Sequence, residues 1–303
     1  MKLEVGSLKK ILVIGSLNMD LVAYVPHLPH PGETISSTKF QQNPGGKGAN
    51  QAVAAAKLGG NVAMIGRVGV DDHGQVLLNN LKQAGVDITG IRQEGTTGMA
   101  FINVSKDGEN NIVLVPGANH QVTRADIDAS IELIKESEFI IMQLEIPLDV
   151  VEYVLAIAAE HQKEVILNPA PCQPLSDKML RMVHTLIPNE TELQQLTGMP
   201  TSTMEELVKA ALLLKSSGVV RIIITMGDKG SFLLNDELQV HIPATKVIPV
   251  DTTAAGDSYI ASFAVGITKG MSDQEAAEFA SKVSSIVVTR EGAQPSLPTL
   301  EEV

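Results

Sequence analysis

Residues 139–168 read FIIMQLEIPLDVVEYVLAIAAEHQKEVILN. The stretch opens on an apolar run, Phe139–Gln143, passes through a helical pattern near Pro147–His161 and closes on a second apolar run, Glu164–Asn168. Two short apolar runs separated by a helix predict buried strands lying parallel in one sheet, with the helix covering it. The same alternation extends outward. Upstream, Lys10–Gly15 reads as a buried first strand. Gly48–Leu58 reads as an Ala-rich helix that Gly59-Gly60 stops, Asn61–Gly66 as a strand and His73–Ala84 as a helix. Downstream, Thr185–Ile187 and Arg221–Met226 are short strands, and Thr203–Ser217, Gly256–Lys269 and Ser272–Val288 are helical. The pattern predicts an α/β fold, a parallel sheet covered on both faces by helices.

Composition agrees. Hydrophobic residues make up 44% and charged residues 19% of the 303, which supports a sizeable core and argues against disorder. Trp is absent and aromatics reach 3%, so that core is built from Ala, Val, Ile and Leu. A formal net charge of −12 speaks against a nucleic-acid surface but not against a local anion site. Cys172 is the sole cysteine, so no intramolecular disulfide forms. Met1–Lys10 shows no apolar leader segment, and Ile11–Gly15 is too short to span a membrane. The expectation is a soluble cytoplasmic protein with no membrane partner.

Two segments break the alternation. Asp20–Gln42 carries prolines and strand-like residues. Val86–Val115 holds the strand-like runs Met99–Val104 and Asn111–Val115 around the turn sequence Lys106-Asp107-Gly108-Glu109. They are expected either as long surface hairpins or as a small β layer, which could cover a ligand or pair with a second subunit.

Ligands of open parallel sheets bind where strands end and helices begin. One candidate is Asn43-Pro44-Gly45-Gly46-Lys47-Gly48-Ala49-Asn50. Its glycines let backbone approach a ligand, yet it lacks the G-x-x-x-x-G-K-[ST] spacing of a P-loop. The other is Asp251-Thr252-Thr253-Ala254-Ala255-Gly256-Asp257, at the start of an apolar helix. Small residues at a helix entry aim N–H groups at an anion, and a carboxylate in the same turn accepts a proton from an attacking hydroxyl. Phosphoryl transfer needs both. A simple helix cap would also place an aspartate here.

Both segments resemble the signatures of the ribokinase family of carbohydrate kinases. The resemblance continues, in family order, through Gly15–Asp20, Gln143–Glu145, Asn168–Pro171, Pro188–Glu192, Thr225–Gly230 and Thr289–Ser296, and so covers nearly the whole chain. It implies a single domain over 1–303, a three-layer α/β/α sandwich with a mostly parallel central sheet and a small β-sheet lid from roughly 20–42 and 86–115.

The resemblance also implies roles. Asp257 matches the catalytic base, and Ala254, Ala255 and Gly256 match the backbone cradle of the transferred phosphoryl group. Asn18, Asp20, Gly45, Gly46, Lys47, Asn50 and Glu145, with Asp257 itself, match sugar-binding positions. Asn189, Thr225, Gly227, Asp228, Gly230 and again Gly256 match nucleotide positions, and Glu192 a Mg²⁺-linked one. Asp251, Thr253, Val287, Arg290, Gly292 and Ser296 match a monovalent-cation loop, mostly through backbone oxygens. Two positions depart from the pattern: Ser281 stands where Asn or His often faces adenine, and Thr253 where an aliphatic residue is common. The expected activity is transfer of the γ-phosphate of ATP to the 5-hydroxyl of D-ribose, with Mg²⁺ and K⁺, in a homodimer formed through the lid. A 2-deoxyribokinase or another pentose or nucleoside kinase is the near alternative. A non-catalytic sugar-binding regulator is the distant one.

Overall fold

Strand β1, Lys10–Ile14, divides the core by its pleat. Ile11 and Val13 join one apolar cluster, and Leu12 and Ile14 join the other. Successive side chains of a strand point to opposite faces, so a strand apolar at every position must be covered on both. The computed structural model describes residues 9–303. Met1–Leu8, most of the stretch read as lacking a leader segment, lies outside the described residues.

Strand β1 pairs in parallel with β4 (Asn61–Val68) and β8 (Ser137–Met142). The sheet continues through β5 (Asp87–Gln93) on one side. On the other side come β9 (Glu164–Leu167), β10 (Thr185–Leu186), β11 (Arg221–Thr225), β12 (Ser231–Leu234) and β13 (Gln239–Ile242). Its order is β13-β12-β11-β10-β9-β8-β1-β4-β5, parallel except for the antiparallel β12 and β13. A second sheet takes β2 (Asn18–Val25), β3 (Lys39–Gly45), β6 (Gly98–Ser105) and β7 (Asn110–Val115), in the order β3-β2-β6-β7.

Helices α1 (Lys47–Lys57), α2 (Asp72–Gln83), α9 (Ala255–Thr268) and α10 (Asp273–Val287) bury Ala52, Leu77, Phe263 and Ala276 against the Ile11 face. Helices α3 (Arg124–Ala129), α4 (Ile131–Glu136), α5 (Leu148–Glu160), α6 (Asp177–Leu180), α7 (Glu190–Thr197) and α8 (Met204–Ser216) cover the Leu12 face, through Ile127, Val151, Leu193 and Leu207 among others. Among the described residues no helix is long and apolar enough to cross a membrane.

Two features differ from the sequence reading, and one alternative to it, the helix cap at Asp257, falls away. Asp87–Gln93, expected in the β layer, is the edge strand of the main sheet instead, because its backbone continues the parallel ladder of β4. The strands β12 and β13 were not expected. Asp257 is not a helix cap: Ala254 is the N-cap of α9, in left-handed conformation and with no side-chain cap bond.

Chain order reverses beside β1. From β1 the chain builds β4 and β5 on one side, then crosses to β8 on the other. Such a switch point opens a crevice at the carboxyl ends of the strands. Helix α1 docks into it closely. A Cβ on Gly48 would stand 2.6 Å from the Ser16 backbone nitrogen, so only glycine permits this approach.

Candidate active site

The entry of α1 is tied to the ends of β1 and β8. Ala49 N–H donates to the Ser16 carbonyl at 2.9 Å. Gly48 N–H donates to the Ser16 hydroxyl oxygen at 3.3 Å, and Lys47 N–H to Glu145 Oε2 at 3.2 Å. The Ser16 hydroxyl in turn donates to Glu145 Oε2. A carboxylate at a helix N-terminus meets free N–H groups and the positive end of the dipole. Glu145 therefore fixes the glycine-rich loop as well as facing the crevice.

Asn18 opens β2 opposite Gly45 of β3, and Asp20 follows opposite Asn43. Asn18 is buried and accepts a bond from Asn119 Nδ2 at 2.7 Å. Asn119 also bonds both backbone groups of Leu17, which holds the turn out of β1 rigid. Burial pushes the Asp20 carboxyl up to about 7, with the charges of Glu145 and Asp257 adding to the effect and Lys47 opposing it. Burial works against the Lys47 ammonium, but Asp257, Glu145, Glu192 and Asp20 together hold it above the usual lysine range. Lys47 is thus the local counter-charge for four acids.

Asp257 lies in the first turn of α9 and is 7% exposed. Asn50 Nδ2 donates to its Oδ2, and Gln51 Nε2 to its Oδ1, each at 2.9 Å. Both donors come from α1, 206 and 207 positions away in sequence. Each amide has a further partner. Gln143 Nε2 donates to Gln51 Oε1 at 2.5 Å, and Gln294 Nε2 to Asn50 Oδ1 at 3.1 Å. Asn80 donates to Gln294 Oε1.

Two cavities meet at Gly256. The smaller, about 230 Å³, is lined by Lys47, Asn189, Glu192, Ala254, Gly256 and Asp257 among others. The larger, about 580 Å³, lies between the Thr225–Gly230 turn and the α9–α10 pair and reaches Tyr259, Ser281 and Ser284. Gly227, Asp228 and Gly230 line it, and Thr225 and Gly256 line both. Its volume falls within the range of small-molecule sites, roughly 300–1,000 Å³. A Cβ on Gly256 would meet nothing within 4 Å, and its φ is not positive. The protein's own packing therefore does not require glycine there; the open side faces the cavities. First-turn N–H groups of a helix have no carbonyl partner of their own, so this end of α9 suits an anion.

Asn189 and Glu192 cap α7 reciprocally, Asn189 N–H donating to Glu192 Oε2 at 2.9 Å and Glu192 N–H to Asn189 Oδ1 at 2.8 Å. A parallel bridge between Asn189 and Thr225 sets this turn beside the end of β11. Burial raises the Glu192 carboxyl; the Asn189 N–H and Lys47 pull it back.

Asp251 joins the two segments expected to hold a monovalent cation. Its Oδ1 accepts from Thr253 N–H at 2.8 Å and from the Thr253 hydroxyl at 2.6 Å, and its Oδ2 accepts from Gly292 N–H at 2.9 Å. Asp251 N–H donates to the Val288 carbonyl at 3.2 Å, next to Val287. Ser296 is buried and bonds Ala293, while the Arg290 guanidinium turns away to Glu302 at 2.7 Å. Among the described residues no group of three or more His, Cys, Asp and Glu could hold a metal.

The sequence-predicted residues therefore fall into three adjoining groups. Asn50 bonds Asp257, Asp20 and Lys47 lie within reach of its charge, Glu145 holds the Lys47 N–H, and Asn18 pairs with Gly45 next to Gly46; the nucleotide positions line the cavities, and Asp251 ties the cation-loop positions before α9 to Gly292. Sequence reasoning assigned no role to Gln51, Asn119, Gln143 or Gln294. The available signal was an amide next to Asn50 inside an Ala-rich helix that is otherwise apolar.

The comparisons with known proteins identify the family and the fold. The family model described as pfkB family carbohydrate kinase matches residues 8–300. The chain is 42% identical to the ribokinase of Haemophilus influenzae over 296 residues, 97% of each chain. It is 38% identical to the deoxyribokinase of Salmonella typhi over 295 residues, 96% of each. The solved structure of Arabidopsis thaliana ribokinase complexed with ribose and ATP superposes with a TM-score of 0.91 at 34% identity, covering 97% of this chain and 96% of that one. The chain belongs to the pfkB family of carbohydrate kinases.

The Asp20 carboxyl generates a pH prediction. In the unfolded chain it loses its proton near 3.8, and in the folded protein at about 7. Between those values the folded state binds more protons, so this group's contribution to stability is full at low pH and is lost as pH rises through 7. The upper limit of the effect is roughly 4 kcal/mol. Asp20→Asn carries no proton to lose. Its thermal midpoint relative to wild type is expected to rise by several degrees between pH 5 and pH 8; a constant difference contradicts the raised value.

Proposed function

We propose that the chain is a ribokinase, which transfers the γ-phosphoryl group of ATP to the 5-hydroxyl of D-ribose. The observation that carries this reading is the position of Asp257. Its carboxylate lines the smaller of the two cavities that meet at Gly256, accepts from Asn50 and Gln51, and acts by its charge on Asp20, as Glu145 does. A sugar is a ring of hydroxyls, which such groups bind in pairs. The likeness to the Arabidopsis enzyme supports ribose and ATP as the two ligands.

On this reading Asp257 accepts the proton of the attacking hydroxyl. The hydroxyl oxygen bonds to phosphorus, the bond from phosphorus to the bridging β-oxygen breaks, ADP leaves, and the proton ends on Asp257. A carboxylate is a weak base near neutrality, which suffices because the transition state is loose and the nucleophile needs orientation most. Ala254, Ala255 and Gly256 open α9 toward the transferring group, where first-turn N–H groups offset its charge. Lys47 balances the surrounding acids and adds positive charge to the smaller cavity.

Glu192 and Asn189 fit a Mg²⁺ site: Mg²⁺ takes one or two carboxylates and fills its shell with water and phosphate oxygens. Bound there, it would screen the charge of the phosphates. Backbone oxygens around Asp251, Thr253, Val287, Arg290, Gly292 and Ser296 suit K⁺, and Asp251 already ties the two segments together. The whole chain acts as one kinase unit in which β2, β3, β6 and β7 form the lid over the sugar. ATP as donor fits a cytoplasmic enzyme. The strand β7 is a sheet edge exposed throughout, with Ile112, Val113 and Leu114 uncovered, and an unpaired apolar edge favours a homodimer through the lid.

A 2-deoxyribokinase is the second reading, favoured by the 38% identity to the Salmonella enzyme. Rates of ADP formation on a sugar panel, in potassium and in choline at fixed ionic strength, decide both issues. The expected result is a higher kcat/KM for ribose than for 2-deoxyribose, and faster turnover in potassium. The reverse ranking transfers the assignment to deoxyribose, and equal rates in the two salts remove the cation role. Sedimentation equilibrium is expected to return a dimer; a monomer at assay concentration removes the lid interface.

A further inference from the structure

Gln143 is fully buried directly after β8 and makes an unusual use of its amide. Its Nε2 donates to Gln51 Oε1 at 2.5 Å. Its Oε1 is buried and has no hydrogen-bond partner among the described residues. An unpaired buried oxygen is destabilising, but an apolar side chain of the same size would leave Gln51 Oε1 without its donor instead. The amide of Gln143 is therefore matched to Gln51 rather than to packing.

What it provides follows from the direction of the bonds. The ionised Asp257 carboxylate only accepts, so Gln51 must turn its Nε2 toward Oδ1, where it stands at 2.9 Å. A primary amide turned over by 180° would set Oε1 against Oδ1, oxygen against oxygen. The donor from Gln143 occupies Gln51 Oε1 and leaves Nε2 as the only end that can face Asp257. Asn50 is fixed in the same sense by Gln294 Nε2 at 3.1 Å. In neither case does the outer amide touch the carboxylate.

We propose that Gln143 is a positioning residue for phosphoryl transfer: it locks the amide of Gln51 in the one orientation that holds the Asp257 carboxylate in place. The proposal rests on the reading of Asp257 as the base. It acts on the orientation of an existing acceptor rather than on sugar or nucleotide affinity. A misplaced catalytic group costs up to about 10²-fold in rate, and loss of the lock alone leaves Gln51 present but free to turn.

The test is a double-mutant cycle with Gln143→Met and Gln51→Met, read by kcat, by KM for both substrates and by thermal midpoint, on whichever sugar the wild type turns over best. Gln143→Met is expected to lower kcat about tenfold with both KM values unchanged. Its thermal midpoint should stay near wild type, since one unpaired oxygen is exchanged for another. Gln51→Met should lower kcat at least as far. The double variant should be no slower than Gln51→Met, and its thermal midpoint should lie at or above that of Gln51→Met, because Gln143 no longer leaves a buried amide without a partner. Gln143→Met with wild-type kcat overturns the proposal. So do multiplicative losses in the double variant, or a kcat that simply follows the thermal midpoint. Asp257→Asn is run alongside: if it stays active, the base assignment has failed, whereas an inactive Asp257→Asn with a fully active Gln143→Met rejects only the lock.

Discussion

The two amide bonds from Asn50 and Gln51 to Asp257 are the constraint around which this molecule is organised. A carboxylate that is 7% exposed cannot stay charged without donors, because burying an unpaired charge costs several kcal/mol. The donors sit on α1 and the acceptor on α9, so the two helices must cross at one height and one rotation. Helix α1 is fixed in turn by Ser16 and Glu145 at the ends of β1 and β8. With α1 set, the first turn of α9 opens toward the cavities, and the segment before it carries Asp251, which holds Gly292. Sheet, helix pair and flanking loop thus share one reference point, and it is the proposed catalytic group.

Charge in the crevice follows the same economy. Four acids and one lysine make an acidic neighbourhood within an acidic chain, yet the other substrate of a kinase is a polyanion. The arrangement separates the two demands. Asp20 lies on β2 and Glu145 follows β8 at the entry of α1, where hydroxyl groups would meet them. The open N-terminus of α9 and Lys47 line the smaller cavity, where negative charge would arrive. A proton held by Asp20 up to about pH 7 removes one like charge from beside Asp257 in the free protein.

Much of this was legible in the sequence because β1, β4, β8, β9 and β11 are short apolar runs between helical patterns, and buried parallel strands leave that trace. The strands β12 and β13 left little: four residues each, Ser231–Leu234 and Gln239–Ile242, return antiparallel over a loop where no covering helix intervenes. Asp87–Gln93 mixes polar and apolar residues as an edge strand does, so it read as part of the polar, turn-rich segment that follows it. Helices α3, α4 and α6 span six residues or fewer, too few for a helical period to show. The loops of the site were legible because glycines, an aspartate at a helix start and a capping pair are local signals. The amide network was not. Gln143 meets Gln51 across 92 positions and Gln294 meets Asn50 across 244, and single glutamines carry no mark of where their neighbours will be.

The central claim is that Asp257 is held by these amides in order to take a proton. Asp257→Asn keeps the shape of the side chain and removes its capacity to accept that proton, so kcat and sugar affinity measured on the same preparation test it most directly. The account predicts a loss of about 10²–10⁴-fold in kcat, with sugar affinity close to wild type. A variant that keeps more than about a tenth of the wild-type kcat would contradict it, since a positioned base contributes far more than that.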